Sequence, residues 1–283
     1  MNSNERDWTE LLRMQHKRHH FVCVGLDSDA SKLPHHLVKA RTSITNAIYR
    51  FNCGIIEAVG DIAGAIKINV AFYEMHGDKG VAVLQKTIAY AHNVAPSLPI
   101  ILDAKRGDIG NTNMGYVKAA FGELNYDADA ITVHPYLGKE AMMPFLLQQN
   151  KGVIVLCKTS NPGAGEFQDL VINGEPLFIH VAKNVAQNWN SVNGNCAVVA
   201  GATYPDDIGK IRKAVGMLPI LIPGIGKQGG DLEGAVKNGR DILGGGFIIN
   251  SSREIIFASR STDFAEAART ATEDLNTKIK FYA

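Results

Sequence analysis

Short apolar runs alternate with amphipathic stretches along almost the whole chain. Eight runs read as strands: FVCVGL from Phe21, GAIKIN from Gly64, PIILD from Pro99, DAITVH from Asp129, GVIVLC from Gly152, NCAVVAG from Asn195, LPILIP from Leu218 and GFIIN from Gly246. Runs with so little polar alternation fit strands buried on both faces, as parallel strands joined by helices are. Between them apolar residues recur every three or four positions, which predicts helices with one buried stripe. The first three stripes are Leu37, Ala40, Ile44, Ala47, Phe51 and Ile55; Val81, Leu84, Ile88 and Ala91; and Met114, Val117, Phe121 and Leu124. Leu177, Val181, Val185 and Trp189, then Ile208, Ile211 and Val215, then Phe264, Ala268, Ala271 and Leu275 continue the theme. A further helix around Trp8 to Met14 precedes the first strand. Eight βα units in about 250 residues predict an α/β fold, a (β/α)8 TIM barrel with an extra N-terminal helix. Residues 1–283 are expected to form a single barrel domain, with 1–20 as a helical extension and 261–283 as a C-terminal helix. A doubly wound open sheet is the alternative, but the first βα turn, GLDSDASKLP, lacks the GxGxxG phosphate cradle of that fold.

The 283 residues are 46% hydrophobic, enough for a large core, and 29 Lys and Arg against 28 Asp and Glu leave a formal charge of +1. Such a balance gives no field to gather polyanions, so neither nucleic acid nor a membrane surface is an expected partner. The opening MNSNERDWTELLRMQHKRHH contains no apolar signal core, and no run elsewhere approaches the roughly 18 apolar residues of a membrane span, so a cytoplasmic location is expected. Cys23, Cys53, Cys157 and Cys196 form no CxxC pair, and three of them fall in apolar runs where a thiol packs as a small hydrophobe. Neither a disulfide framework nor a structural zinc site follows.

Barrels of this kind hold their sites at the C-terminal ends of the strands, and there the chain carries charge. Asp27 closes strand one, Lys67 lies in strand two, Asp103 closes strand three with Lys105 and Asp108 just after it, and His134 closes strand four. Charges in a desolvated barrel mouth are costly unless paired, and alternating Lys and Asp supply each other's partners. A structural ion-pair network would use the same residues, but charges at three successive strand ends favour chemistry. After strands seven and eight come LPILIPGIGKQGG and GFIINSSR, small-residue turns where barrels often hold phosphate between loop amides and a helix start. Gly224, Gly226, Gly229 and Gly230 permit close backbone approach, Gln228 can donate an amide hydrogen bond and Arg253 can fork to phosphate oxygens. A phosphorylated substrate is implied. His16 to His20 read as the solvated end of the first helix, and His134 as either a hydrogen-bonded structural residue or a general acid. No HExxH motif occurs, and the strand-three carboxylates are interleaved with Lys and Arg that compete with a divalent cation, so no metal is expected.

The stretch LDAKRGDIGNT, from Leu102 to Thr112, closely resembles orotidine 5′-phosphate decarboxylases, particularly the longer bacterial subgroup of that family. The likeness runs through VGLDSD, IKINVAFYE, KTSNPGAG, PGIGKQGG and NSSR, over nearly the whole chain, and the stretch from Lys158 through Pro176 is similar to the subgroup's extended loop. The resemblance implies conversion of orotidine 5′-phosphate to UMP and CO2, the last step of de novo UMP synthesis, with neither organic cofactor nor metal. Loss of CO2 from C6 of the pyrimidine leaves a vinyl carbanion with no electron sink, so fixed positive charge must stand where negative charge develops. On this resemblance Lys105 stabilises the carbanion and protonates C6, Asp103 sits beside the departing carboxylate, and Lys67 and Asp108 complete a Lys-Asp-Lys-Asp chain. Asp27 is implied as a ligand of the ribose hydroxyls, Ser160 as a contact to the pyrimidine, and Gln228 and Arg253 as phosphate ligands. Asp108, Ile109 and Thr112 are implied to reach the neighbouring subunit's site, which makes the expected partner a second copy of the chain in a homodimer with shared sites. Three alternatives stand beside it: a Mg2+-dependent sugar-phosphate enzyme sharing the DxKxxD stretch, a Schiff-base role for Lys67, and a barrel that only binds a nucleotide or sugar phosphate.

Overall fold

In a computed structural model, which describes residues 6–38, 42–122, 124–226 and 229–283, each of the eight apolar runs forms a strand of one closed parallel barrel. The barrel strands are β1 (Val22–Gly25), β2 (Ala65–Asn69), β3 (Ile100–Arg106), β4 (Ala130–Val133), β5 (Gly152–Lys158), β8 (Cys196–Ala200), β9 (Ile220–Pro223) and β10 (Phe247–Ser251). Between β5 and β8 the two-residue strands β6 (Val171–Ile172) and β7 (Glu175–Pro176) pair antiparallel as a separate hairpin in the extended loop. Around the barrel the order is β1-β10-β9-β8-β5-β4-β3-β2, so barrel strands that follow one another in sequence are neighbours in space.

Both faces of each strand are buried because successive side chains point in opposite directions and find apolar partners on either side. Cys23, Ala65, Ile101, Ala130, Ile154, Val199, Leu221 and Ile248 gather in one inner cluster, while their sequence neighbours Val22, Val24, Ile66, Ile100 and Ile249 belong to the larger cluster shared with the helices. Burial pushes the thiol of the inward Cys23 up to about 12, so it behaves as a small apolar side chain. The other three cysteines are free as well.

The helical stripes hold in outline and differ in detail. The first helix runs Ile44–Val59, capped by Ser43, whose hydroxyl accepts from the amide of Asn46 at 3.3 Å. Leu37 precedes it in a turn closed on Pro34, yet is buried in the core; Ala40 lies outside the described residues. The helix after β3, Gly110–Phe121, buries Asn113, Val117, Ala120 and Phe121; Met114 is on the solvent side and Leu124, past the helix end, is 90% exposed. Of the expected stripe, Val117 and Phe121 are buried and Met114 and Leu124 are not; the inward place before Val117 goes to Asn113, a polar core residue whose side chain satisfies the backbone of Asp108 and Ala141. Leu177–Asn184 is α-helical and continues as a π-turn over Val185–Trp189, with Val185 and Trp189 buried and Leu177 and Val181 only partly so.

The N-terminal helix, Trp8–Lys17, sits against the inner cluster at the N-terminal ends of the strands. Trp8 and Leu12 are members of that cluster, and a Cβ on Gly152 would stand 2.7 Å from the Trp8 ring, so the first residue of β5 has to be glycine for the indole to enter. Just before the helix, Arg6 forks to Asp129 (Nε to Oδ1 2.8 Å, a terminal nitrogen to Oδ2 2.6 Å) and donates to the carbonyl of Leu98, while Asp129 also accepts from the amide of Ile100. Within the segment expected as an extension, Arg6 and the helix Trp8–Lys17 therefore form the floor of the barrel. His16 is likewise not solvated: its Nε2 stands 3.0 Å from the carbonyl oxygen of Phe247, its ring lies beside Phe21, and burial draws its pKa down. Trp8→Ala is expected to cost about 3–5 kcal/mol of stability, the range for emptying a buried aromatic site, read as a lowered midpoint in urea unfolding.

Candidate active site

The opposite end of the barrel holds a cavity of about 420 Å³ lined by Asp27, Lys67, Asp103, Lys105, Ser160 and Arg253, among others. That is the size of a small-ligand pocket. Parity along the strands explains which side chains reach it. Lys67 stands two residues after the inward Ala65 and Asp103 two after Ile101, so both rise from the barrel interior into its mouth.

Asp103 is the centre of the charge arrangement. Its Oδ2 accepts from Lys67 Nζ at 2.8 Å and its Oδ1 from Lys105 Nζ at 2.6 Å, and Lys67 Nζ stands 3.8 Å from Asp27. Burial alone would push the Asp103 carboxyl up, but the charges of Lys67 and Lys105 outweigh it and hold the group well below the usual carboxylate range. Burial alone would draw Lys67 down, and Asp103 and Asp27 together raise it instead. Both groups are therefore charged across the neutral range.

Lys105 is not past the end of strand three, as the apolar run suggested, but inside β3. The ladder to β4 pairs Leu102 with Ile131 and then Arg106 with Val133, so β3 carries two extra residues as a bulge. Within it Lys105 takes φ +47°, a left-handed conformation costing roughly 1–3 kcal/mol in a non-glycine residue. The bulge turns Lys105 back onto Asp103, two residues earlier, and leaves its side chain half exposed to the cavity.

Ser160 follows β5 and packs so closely on Gly201 that a Cβ there would stand 2.7 Å from the Ser160 Cα. The loop is tied down by Lys158, whose buried ammonium bonds the Asp169 carboxylate and lies 4.5 Å from the Tyr204 ring centroid. At the far side of the cavity Gly224 and Gly226 both take positive φ, and Arg253 begins the short helix after β10. Gln228 lies outside the described residues.

Asp108, Ile109 and Thr112 do not line the cavity. The Asp108 carboxylate accepts from the amide of Ile109 at 2.7 Å, Ile109 is 62% exposed, and Thr112 is on the surface. Of the expected Lys-Asp-Lys-Asp chain, one chain brings together Lys67, Asp103 and Lys105, with Asp27 beside Lys67, while Asp108 stands apart. His134 hydrogen-bonds the carbonyl oxygen of Gly107 and the amide of Tyr136, which is its structural reading. Among the described residues no three His, Cys, Asp or Glu side chains come together as a metal cluster, and no helix is long and apolar enough to cross a membrane.

The residues read from sequence omitted Asn69, Thr132 and Asn250, all of which line the cavity. Each stands two positions after an inward residue (Lys67, Ala130 and Ile248), so strand parity was the available signal. Asp27 Oδ1 and Asn250 Oδ1 are buried at the cavity wall with no hydrogen-bond partner among the described residues, which suits them to accept from a ligand.

Residues 20–270 match the family described as "Orotidine 5'-phosphate decarboxylase / HUMPS family". A protein of Cupriavidus metallidurans named orotidine 5'-phosphate decarboxylase is 45% identical over 276 residues, covering 97% of this chain and 98% of its own, and one of Herpetosiphon aurantiacus with the same name is 46% identical over 253 residues, covering 89% and 90%. Among solved structures, the OMP decarboxylase of Leishmania donovani superposes with a TM-score of 0.82 at 35% identity, covering 98% of this chain and 100% of its own.

Proposed function

The chain belongs to the orotidine 5′-phosphate decarboxylase family and converts orotidine 5′-phosphate to UMP and CO2 in pyrimidine biosynthesis, and from that premise we propose how its barrel mouth does so. The observation that carries the proposal is Asp103 held ionised between Lys67 and Lys105 at the floor of the cavity.

The substrate lies with its phosphate at Gly224, Gly226 and Arg253, its ribose hydroxyls at Asp27 and its pyrimidine between Ser160 and Lys105. Gln228 is a further phosphate ligand. In that pose the C6 carboxylate faces the Asp103 carboxylate, and the Lys105 ammonium is beside C6. When the bond from C6 to the carboxylate breaks, CO2 leaves and the electron pair stays on C6, where Lys105 offers a positive charge already oriented by Asp103. A proton then moves from Lys105 Nζ to C6, giving UMP, and solvent re-protonates the lysine. Neither a metal nor an organic cofactor takes part. Binding energy at the phosphate end positions the pyrimidine against Lys105, so the remote group assists the chemical step.

Asp108, Ile109 and Thr112 serve the site of a second copy of the chain. The exposure of Ile109 and Thr112, and the absence of all three residues from the lining of their own cavity, support a homodimer in which each mouth is completed by its partner. The enzyme works in the cytoplasm.

Chelator-treated protein incubated with orotidine 5′-phosphate is expected to turn over fully, followed by the pyrimidine absorbance change. Activity lost on chelation and restored by Mg2+ would favour the metal-dependent alternative. No turnover under any condition would overturn the reading.

A further inference from the structure

We infer that Thr132 is a positioning residue for the decarboxylation: its hydroxyl locks the β3 bulge so that Asp103 and Lys105 stand in register with each other. The inference rests on the reading that these two residues carry the chemistry.

The bulge raises a question of hydrogen bonding. Where β3 leaves its ladder with β4, the Lys105 amide loses a strand partner in a buried, parallel sheet, and an orphaned amide there would be costly. The missing acceptor is the side chain of Thr132, on the neighbouring strand β4: Lys105 N–H donates to Thr132 Oγ1 at 3.0 Å. The same hydroxyl lies 2.9 Å from Asp103 Oδ1. The directions are forced. An amide can only donate and an ionised carboxylate can only accept, so the hydroxyl takes the amide hydrogen and gives its own proton to Asp103.

One atom thereby fixes both ends of the pair. Through the amide it holds the left-handed turn at Lys105, at φ +47°, that directs the lysine back toward Asp103. Through its proton it orients the Asp103 carboxylate, whose Oδ1 is shared by Thr132 and Lys105 Nζ while Oδ2 faces Lys67. Thr132 is 1% exposed and the one proton of its hydroxyl is given to Asp103, so its part is played through those neighbours. A strained backbone at a catalytic residue persists only where its surroundings over-determine it, and Thr132 is the one side chain that hydrogen-bonds the Lys105 backbone among the described residues.

The test is a hydroxyl-specific split. Thr132→Val keeps shape and removes the hydroxyl; it is expected to lower kcat by about 100-fold, the scale for a catalytic group displaced by about 1 Å, while KM and UMP affinity stay within about threefold. Thr132→Ser restores the hydroxyl and is expected within about fivefold of wild type, which a purely packing role of the methyl would not give. If the Val variant does not fold, the Ser variant and Thr132→Ala decide: Ser must stay active and Ala must lose kcat rather than KM. A Val or Ala variant with wild-type kcat, a Ser variant as slow as Val, or a change confined to KM would each overturn the inference. Lys105→Ala is measured alongside. Full turnover in that variant would mean that the underlying reading had failed, whereas an inactive Lys105→Ala beside a fully active Thr132→Val would remove Thr132 alone.

Discussion

Lys105→Ala is expected to lower kcat by about 10⁴-fold or more while the protein stays folded and binds UMP within about tenfold of wild type. Two contributions are lost together: proton delivery, worth roughly 10²–10⁴, and a fixed charge facing the developing carbanion, worth roughly 10²–10³. The fold has little reason to suffer. The Lys105 side chain is 49% exposed, Asp103 keeps Lys67 and Thr132 as partners, and alanine meets the same left-handed backbone cost at this position that lysine already carries. In the proposed pose the phosphate and ribose contacts belong to other loops, so product affinity is expected to be spared. Single-turnover kinetics and UMP titration of the purified variant read the two quantities separately. A kcat within tenfold of wild type would remove Lys105 from the mechanism.

Mixing two inactive variants, Lys105→Ala and Asp108→Asn, is expected to restore roughly a quarter of wild-type activity per pocket from a background thousands of times lower. The single chain motivates this. Asp108 is turned to the amide of its own neighbour Ile109 and does not line its own cavity, although only three residues separate it from Lys105. If each pocket takes Lys105 from one subunit and Asp108 from the other, a mixed dimer has one pocket with both lesions and one with neither. Random reassortment of equal amounts makes about half of the dimers mixed, hence the quarter. If Asp108 acts within its own chain, each pocket in a mixed dimer still carries one lesion and nothing returns. Mass-tagged chains establish that reassortment has taken place, and verified mixed dimers no more active than their parents would rule out the shared site.

How much of this could be read from the sequence depends on the kind of interaction. All eight barrel strands were legible, because a strand buried on both faces needs an uninterrupted apolar run and there are few other ways to use one. So were Asp27, Lys67, Asp103, Lys105 and Arg253 as residues of one cavity, because charges and small loops at strand ends converge in a barrel, whereas Ser160 came through the resemblance alone. In the helix after β3, Val117 and Phe121 were legible but the inward Asn113 was not, since its hydrogen bonds do the work usually assigned to an apolar residue. Nor was the bulge. The LDAKRGD stretch contains Gly107, where a left-handed residue would be sought, yet it is Lys105 that adopts it, held there by Thr132 on another strand. Local sequence does not encode a conformation enforced by a partner twenty-seven residues away. The proposed partition of Asp108 from Lys105 rests on family resemblance, because three residues of spacing say nothing about which subunit's pocket a side chain enters.

The floor at the closed end of the barrel bears on how the chain is made. The segment around the N-terminal helix finds its partners late in synthesis: Arg6 pairs with a residue 123 positions later, and His16 meets a carbonyl 231 positions later. At the usual rate of synthesis that leaves the apolar side of Trp8, Leu11 and Leu12 without its destination for on the order of ten seconds even to the nearer of those two points. Closure of the barrel is thus a late, long-range event in which an early-made helix is covered by strands made long after it. The interval is one in which a holdase chaperone would find an amphipathic helix to grip, and nascent chains stalled before β10 would still present it.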